Sequence, residues 1–187
     1  MAVGTLLRCH RNGTAGGMVG LSFDDGYRDF AEEAMPALAE HGFTATVYVV
    51  ADRVGGYNDW DRKGPRKPLM TAHQVDEVAA AGLEIGSHGL THRRLAGLDA
   101  RDLAAQVAGS RHALEDLTGR AVEGFCYPYG SLDAAAVEAV AQAGYDYGCA
   151  VSPGAHSGVY ALPRCYVGDR DGPLRMTAKL VRDRWRR

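Results

Sequence analysis

The chain has 187 residues, 46% hydrophobic, 24% charged and 8% aromatic. That length favours one domain over residues 1–187, with a core that needs neither disulfide nor structural metal. Twenty-one basic against 23 acidic residues give a formal net charge of -2. This excludes the global basic field of a nucleic-acid binder and the high-charge signature of disorder. No apolar run approaches the ~20 residues of a membrane helix. The first residues lack a basic stretch followed by a long apolar one, so a cytoplasmic protein is the expectation. Cys9, Cys126, Cys149 and Cys165 form no CxxC pair, which argues against a zinc ribbon or a thioredoxin-type site. They read as small buried hydrophobes.

Short β-like runs alternate with helical ones. Residues 3–7 and 18–23 are expected strands. Residues 27–40 carry Phe30, Ala34, Ala37 and Leu38 at helical spacing and stop at Gly42. Residues 44–50 are β-branched and aromatic, hence a strand. Residues 51–69, rich in Gly, Asp, Lys and Pro, are a long loop of the kind that carries function. A helix over 71–81 is capped by Thr71 and ended by Gly82. Strands follow at 83–86, 124–127, 145–151 and 162–167. Helices are expected at 100–117, 134–143 and 173–185. Alternation of this kind implies a parallel sheet, and about seven strand-like runs favour closure into a barrel. In such folds working residues gather at the C-terminal ends of the strands.

Two motifs fall at expected strand ends. Ser22-Phe23-Asp24-Asp25-Gly26-Tyr27 places two carboxylates side by side, an arrangement that resists double ionisation unless a cation neutralises one. An acidic surface turn has the same composition. Gly86-Ser87-His88-Gly89-Leu90-Thr91-His92 contains two histidines four residues apart, a spacing that lets both imidazoles reach one ion. Two loop histidines would look the same in isolation. Together, one Asp and two His make a facial three-ligand set with positions open to water and substrate. The remaining Asp is then available to deprotonate metal-bound water.

With these residues in view, the chain resembles the polysaccharide deacetylase family (carbohydrate esterase family 4, NodB-like). Ser22-Phe23-Asp24-Asp25-Gly26 resembles its first motif, Thr-Phe-Asp-Asp-Gly. His88-Gly89-Leu90-Thr91-His92 resembles its second, His-Ser/Thr-x-x-His. Phe125-Cys126-Tyr127-Pro128-Tyr129-Gly130 resembles its third, Arg-x-Pro-Tyr-Gly. The resemblance runs from about Leu6 to Val167. It implies a distorted (β/α)7 barrel, with Asp24 as catalytic base. Asp25, His88 and His92 would hold a divalent metal, typically zinc, with cobalt or nickel as alternatives. It assigns the oxyanion to the metal and the Tyr129 N–H, and gives Pro128 and Gly130 the shaping of that turn against the substrate.

The chain departs from the family pattern in three places. Cys126 stands where the third motif usually has an Arg bracing the catalytic Asp; Arg164 is the expected substitute. The closing Leu-x-His, source of a general acid, is absent. His10, in Leu6-Leu7-Arg8-Cys9-His10, takes that role by resemblance to the poly-N-acetylglucosamine deacetylase subgroup, whose motif order is circularly permuted. Gly89 replaces the family's Ser or Thr, with Thr91 as the hydroxyl expected to compensate.

The implied reaction is metal-dependent hydrolysis of an N-acyl group, most simply acetyl, from an amino sugar or glycoconjugate. Trp60, in the long loop, either stacks on a sugar ring or pins the loop to the barrel. The helix within residues 171–187 has Leu174, Val181 and Trp185 on one face, with Arg175, Lys179, Arg182, Arg184, Arg186 and Arg187 around it. Its apolar stripe is expected to pack on the barrel, contact with a membrane surface being the alternative. Two other functions share the motifs. One is a hydrolase of small amides, formamides or cyclic imides; the other is a non-catalytic carbohydrate-binding protein. The sequence leaves the oligomeric state open.

Overall fold

The computed structural model describes residues 1–168 and 170–184, with side chains described through residue 179. Six strands form one sheet in chain order: β1 (Ser22–Phe23), β2 (Thr46–Val49), β3 (Glu84–Ser87), β4 (Gly124–Cys126), β5 (Tyr147–Ala150) and β6 (Leu162–Pro163). Every neighbouring pair is parallel, with Thr46 beside Glu84 and Cys126 beside Cys149 in register. Helices α2 (Met35–Glu40), α3 (Ala72–Ala80), α4 (Ala100–Thr118) and α5 (Ala134–Gln142) make the first four crossovers. A sheet wound in one sequential direction curls on itself, because each crossover packs on the same side. The result is a curled half-barrel of the expected α/β class, with six strands rather than seven among the described residues.

The strand missing from the expected set is the first. Residues Val3–Arg11 form helix α1. Val3, Leu6 and Leu7 are spaced i, i+3, i+4, a helical stripe that a five-residue window does not separate from a strand. The amino end of α1 docks on the barrel floor: Ala2 N donates to Thr44 Oγ1 at 3.1 Å, Val3 N to Thr46 Oγ1 at 2.8 Å and Gly4 N to Glu84 Oε2 at 2.9 Å. The Glu84 carboxylate thus satisfies a free N–H of the first turn and complements its dipole. Its other oxygen accepts from Tyr147 OH at 2.7 Å. A side chain at position 4 would press on Glu84, with a Cβ 2.9 Å from Oε1, so close docking requires the glycine. Of the run 18–23, only Ser22–Phe23 joins the sheet; Met18 and Val19 are exposed.

Side chains alternate across each strand with period two. One face meets the helices: Val47, Val49, Ile85 and Phe125 pack with Val75, Val78, Leu103, Val107, Leu114 and Val140. The other face fills the barrel with Tyr48, Tyr147, Cys126 and Cys149, closed below by Val3 and Leu7 of α1. Glycine makes room there: a Cβ on Gly86 would overlap the Tyr48 ring, and one on Gly124 the Tyr147 ring. Asp99 and Asp133 cap α4 and α5, and Thr71 with Gln74 forms a capping box on α3.

The final helix, α6 (Pro173–Arg184), forms as expected. Of its expected apolar stripe, Leu174 is 88% exposed rather than packed on the barrel, and Val181 and Trp185 lie outside the described side chains. Among the described residues no helix is long and apolar enough to cross a membrane.

Candidate metal centre and active site

Inward parity carries past the strand ends and builds the site. Ser22 and Asp24 share one face of the β1 line; Glu84, Gly86 and His88 share one face of β3. Leu162, packed in the barrel, puts Arg164 on the same side after β6. These next inward positions are the ones the sequence singled out.

Asp25, His88 and His92 converge. Asp25 Oδ1 lies 3.5 Å from His88 Nε2 and 3.2 Å from His92 Nε2. One ligand atom from each falls within 4.8 Å of the others. Both rings are buried. His88 Nδ1 lies 2.7 Å from the Cys126 carbonyl. A carbonyl only accepts, so the proton sits on Nδ1 and the Nε2 lone pair is free for an ion. Burial pushes the His88 pKa down, outweighing the pull of the Asp24 and Asp25 carboxylates. A neutral imidazole is the ligating form. The donor set therefore fits a divalent ion of the zinc type.

Asp24 sits beside this set and is gripped by Arg164. Nη1 reaches Asp24 Oδ1 and Nη2 reaches Oδ2, both at 2.7 Å, a bidentate pair. Nη1 also donates to Ser22 Oγ at 3.0 Å. Since β1 and β6 are not paired, this guanidinium bridges the open seam of the barrel. Burial alone would raise the Asp24 pKa, but the Arg164 hydrogen bonds, His88 and the Arg164 charge hold it down to about 2. Cys126, in the usual place of the bracing Arg, lies under the pair, 2.9 Å from Arg164 Nη2 and 3.7 Å from Asp24 Oδ1. Burial pushes its thiol pKa up. Asp24, His88 and Cys126 also cluster closely, yet the guanidinium already spans Asp24 and Cys126, which disfavours a cation there.

A cavity of about 280 Å³ opens over these groups, walled by Tyr27, Trp60, Asp61 and Tyr129 together with Asp24, Asp25 and both histidines. Trp60 does not stand clear as an isolated sugar platform. Its ring stacks on His92 with centroids 4.4 Å apart and planes at 23°. Tyr129 presents its edge to the same imidazole at 4.5 Å. Asp25, His92 and Tyr129 are the three non-glycine residues with positive φ among those described, a conformation that costs of order 1 kcal/mol or more each.

Two expected roles meet a different placement. His10 lies in the last turn of α1, the helix docked at the N-terminal ends of the strands. The cavity is at the opposite end, so the structure does not bring His10 to Asp24. Its resemblance to a strand motif rested on a run that folds as helix. Pro128 is buried and does not line the cavity; it packs beneath the 88–92 loop, 3.6 Å from where a Gly89 Cβ would stand. Gly89 itself has φ +78°, which explains a glycine in place of a hydroxyl residue.

Sequence reasoning missed the supports. Buried Gln106 of α4 accepts from Thr91 N at 3.0 Å and from Thr91 Oγ1 at 3.1 Å, holding the histidine loop. Buried Asn58 pins the 51–69 loop: Oδ1 accepts from Lys67 N at 2.6 Å, and Nδ2 donates to Pro65 O at 3.1 Å and to Tyr27 OH at 3.4 Å. Thr91 was visible as a hydroxyl near the histidines; nothing in the pattern marked Gln106 or Asn58.

Comparison with known proteins agrees with this fold. The family model described as polysaccharide deacetylase matches residues 11–148. YxkH, a polysaccharide deacetylase-type protein of Bacillus subtilis (strain 168), is 30% identical over 150 residues, which is 79% of this chain and 50% of that one. A chitin deacetylase of Pestalotiopsis sp is 29% identical over 125 residues, 67% of this chain and 38% of that one. The chain thus spans half or less of the length of these curated relatives. Among solved structures, the Streptococcus pyogenes deacetylase PplD in complex with acetate superposes with a TM-score of 0.79 at 19% identity, over 96% of this chain and 78% of that one. At that identity the likeness shows the fold. Three ordered motifs, the sheet that brings them together and a match over most of the chain lead to one conclusion: the chain belongs to the polysaccharide deacetylase family.

Proposed function

We propose that the chain is a metal-dependent hydrolase that removes an N-acyl group, acetyl in the simplest case, from an amino sugar or glycoconjugate. The observation that carries the reading is the convergence of Asp25, His88 and His92 under an open cavity with Asp24 held beside them. Asp25, His88 and His92 would hold a divalent ion, zinc by ligand type, which would supply Lewis-acid polarisation of the amide and a lowered pKa for water.

The chain's own groups do the rest. Asp24, ionised and oriented by Arg164, accepts the proton of the attacking water. A carboxylate held at about 2 is a weak base, so the brace contributes orientation more than basicity. The Tyr129 N–H, on its left-handed turn, is the candidate donor to the developing oxyanion. Expulsion of the amine needs a proton. With His10 at the far end of the barrel, Asp24 itself is the group placed to return the proton it took. The aromatic walls formed by Trp60 and Tyr129 suit the apolar faces of a sugar ring.

Acetate release from N-acetylglucosamine oligomers, measured with zinc restored after chelation, tests the reading. Activity is expected in the wild type. It should fall by at least 100-fold in Asp24→Asn with metal content unchanged, and metal content should fall in His88→Ala. Full activity in metal-free protein, or in Asp24→Asn, would refute it.

A further inference from the structure

The two histidines are held in different ways. His88 is fixed by a hydrogen bond from Nδ1 to the Cys126 carbonyl at 2.7 Å. His92 Nδ1 is buried and has no hydrogen-bond partner in the structure, although only 6% of the residue is exposed and its backbone sits at φ +60°. A metal-ligating imidazole ordinarily has its second nitrogen tied down, and loss of that tie weakens metal binding 10- to 100-fold. For His92 the restraint is aromatic. Trp60 covers one face at 4.4 Å and 23°, and the Tyr129 edge closes in at 4.5 Å and 69°. Trp60 arrives on a pinned segment: Asn58, two residues away, is buried and hydrogen-bonded to Lys67, Pro65 and Tyr27. Backbone bridges join Tyr57 to Pro68 and Tyr27 to Leu69.

The geometry points to Trp60 as a positioning residue that replaces, for His92, the hydrogen bond that His88 donates to the Cys126 carbonyl, so that the 51–69 loop strengthens the site's hold on its divalent ion. Stacking orients the ring before the ion arrives. An imidazole bound to a cation carries partial positive charge, and an indole face attracts that charge more strongly than it attracts a neutral ring. The contact is therefore stronger with the ion bound than without it, and by linkage the docked loop tightens ion binding. The inference rests on the metal reading of Asp25, His88 and His92.

The test is zinc affinity, measured by competition with a chromogenic chelator. Trp60→Ala should weaken binding about 10- to 100-fold without changing the far-UV circular dichroism of the metal-free protein. Trp60→Phe, which keeps a ring to stack, should recover most of the affinity, and Tyr57→Ala in the same loop should leave it unchanged. In a Trp185→Phe background Trp60 is the sole tryptophan, and one equivalent of Co2+ should quench its fluorescence. Wild-type zinc affinity in Trp60→Ala, or no quenching by bound Co2+, overturns the clamp while leaving the metal site standing. Failure of the wild type to bind zinc or cobalt removes both readings.

Discussion

Arg164 does two jobs, and replacing it separates them. Arg164→Met keeps the aliphatic stem but removes the bidentate grip on Asp24 and the bond to Ser22. In the wild type Asp24 is held at about 2, below its ordinary value of 3.8. A group depressed on folding adds stability that is present above its unfolded pKa and is lost as pH falls through the folded one. The window is therefore from about pH 4 down to about pH 2. The shift would be worth roughly 2.5 kcal/mol if fully realised. The Asp24 side chain is 35% exposed, so screening reduces this to ~1 kcal/mol. In the variant, burial still pushes the carboxyl up with Arg164 no longer opposing it. Urea denaturation of metal-free wild type and variant should differ most at pH 6–7, and the gap should narrow by ~1 kcal/mol or more towards pH 2. A smaller, pH-independent remainder belongs to Ser22 and the seam. A gap of constant size across that range would refute the electrostatic account. The same variant should move the acid limb of kcat/KM upward, because Asp24 then protonates at higher pH.

Other substitutions test the scaffold. Gly86→Ala drives a methyl into the Tyr48 ring and should cost ~1–3 kcal/mol by thermal unfolding. Thr71→Ala removes the capping box of α3 and should cost ~1 kcal/mol in the same assay. Glu84→Gln withdraws the charge that α1 and Tyr147 share, so amide exchange over residues 3–11 should accelerate while β2 to β5 stay protected. Gln106→Ala frees Thr91 and should weaken zinc binding ~10-fold, read by calorimetry, with little change in unfolding midpoint.

Much of the fold is legible where periodicity runs long enough. The expected helix over 71–81 is Ala72–Ala80 with Thr71 as its cap, and that over 100–117 is Ala100–Thr118 ended by left-handed Gly119. The strand expected at 44–50 is Thr46–Val49. Short apolar runs are where the reading fails. Residues 3–7 are compatible with both periods, and long-range docking onto Glu84 decides for helix. The run 162–167 pairs only through Leu162–Pro163, with Arg164 N donating the last bond to Ala150 O at 3.0 Å before the chain leaves the sheet. The candidate metal-ligating set is legible because its residues come in dense local motifs. His10 goes astray because its motif is short and its segment folds as helix rather than strand. The Trp60–His92 stack and the Gln106 and Asn58 anchors join segments 15 or more residues apart, or lie within a loop without period, so no local pattern announces them.

The site combines two kinds of placement that a parallel sheet supplies separately. Inward parity delivers Asp24, His88 and Arg164 at no conformational cost, because each simply continues a strand's alternation. It cannot also deliver Asp25 and His92, whose neighbours along the chain already take the inward direction or lie beyond the strand. Those two reach the cavity through left-handed backbone, as Tyr129 does after β4. Such strain persists only where surrounding contacts over-determine it. Here the Thr91–Gln106 bonds and the Trp60 and Tyr129 rings fix His92, and Gly26 follows Asp25 with its own positive φ, seated where a Cβ would stand 3.3 Å from Val49. The three candidate ligands therefore meet at one point because one extends a strand and two are bent into place, and the proposed chemistry depends on the supporting residues as much as on those three.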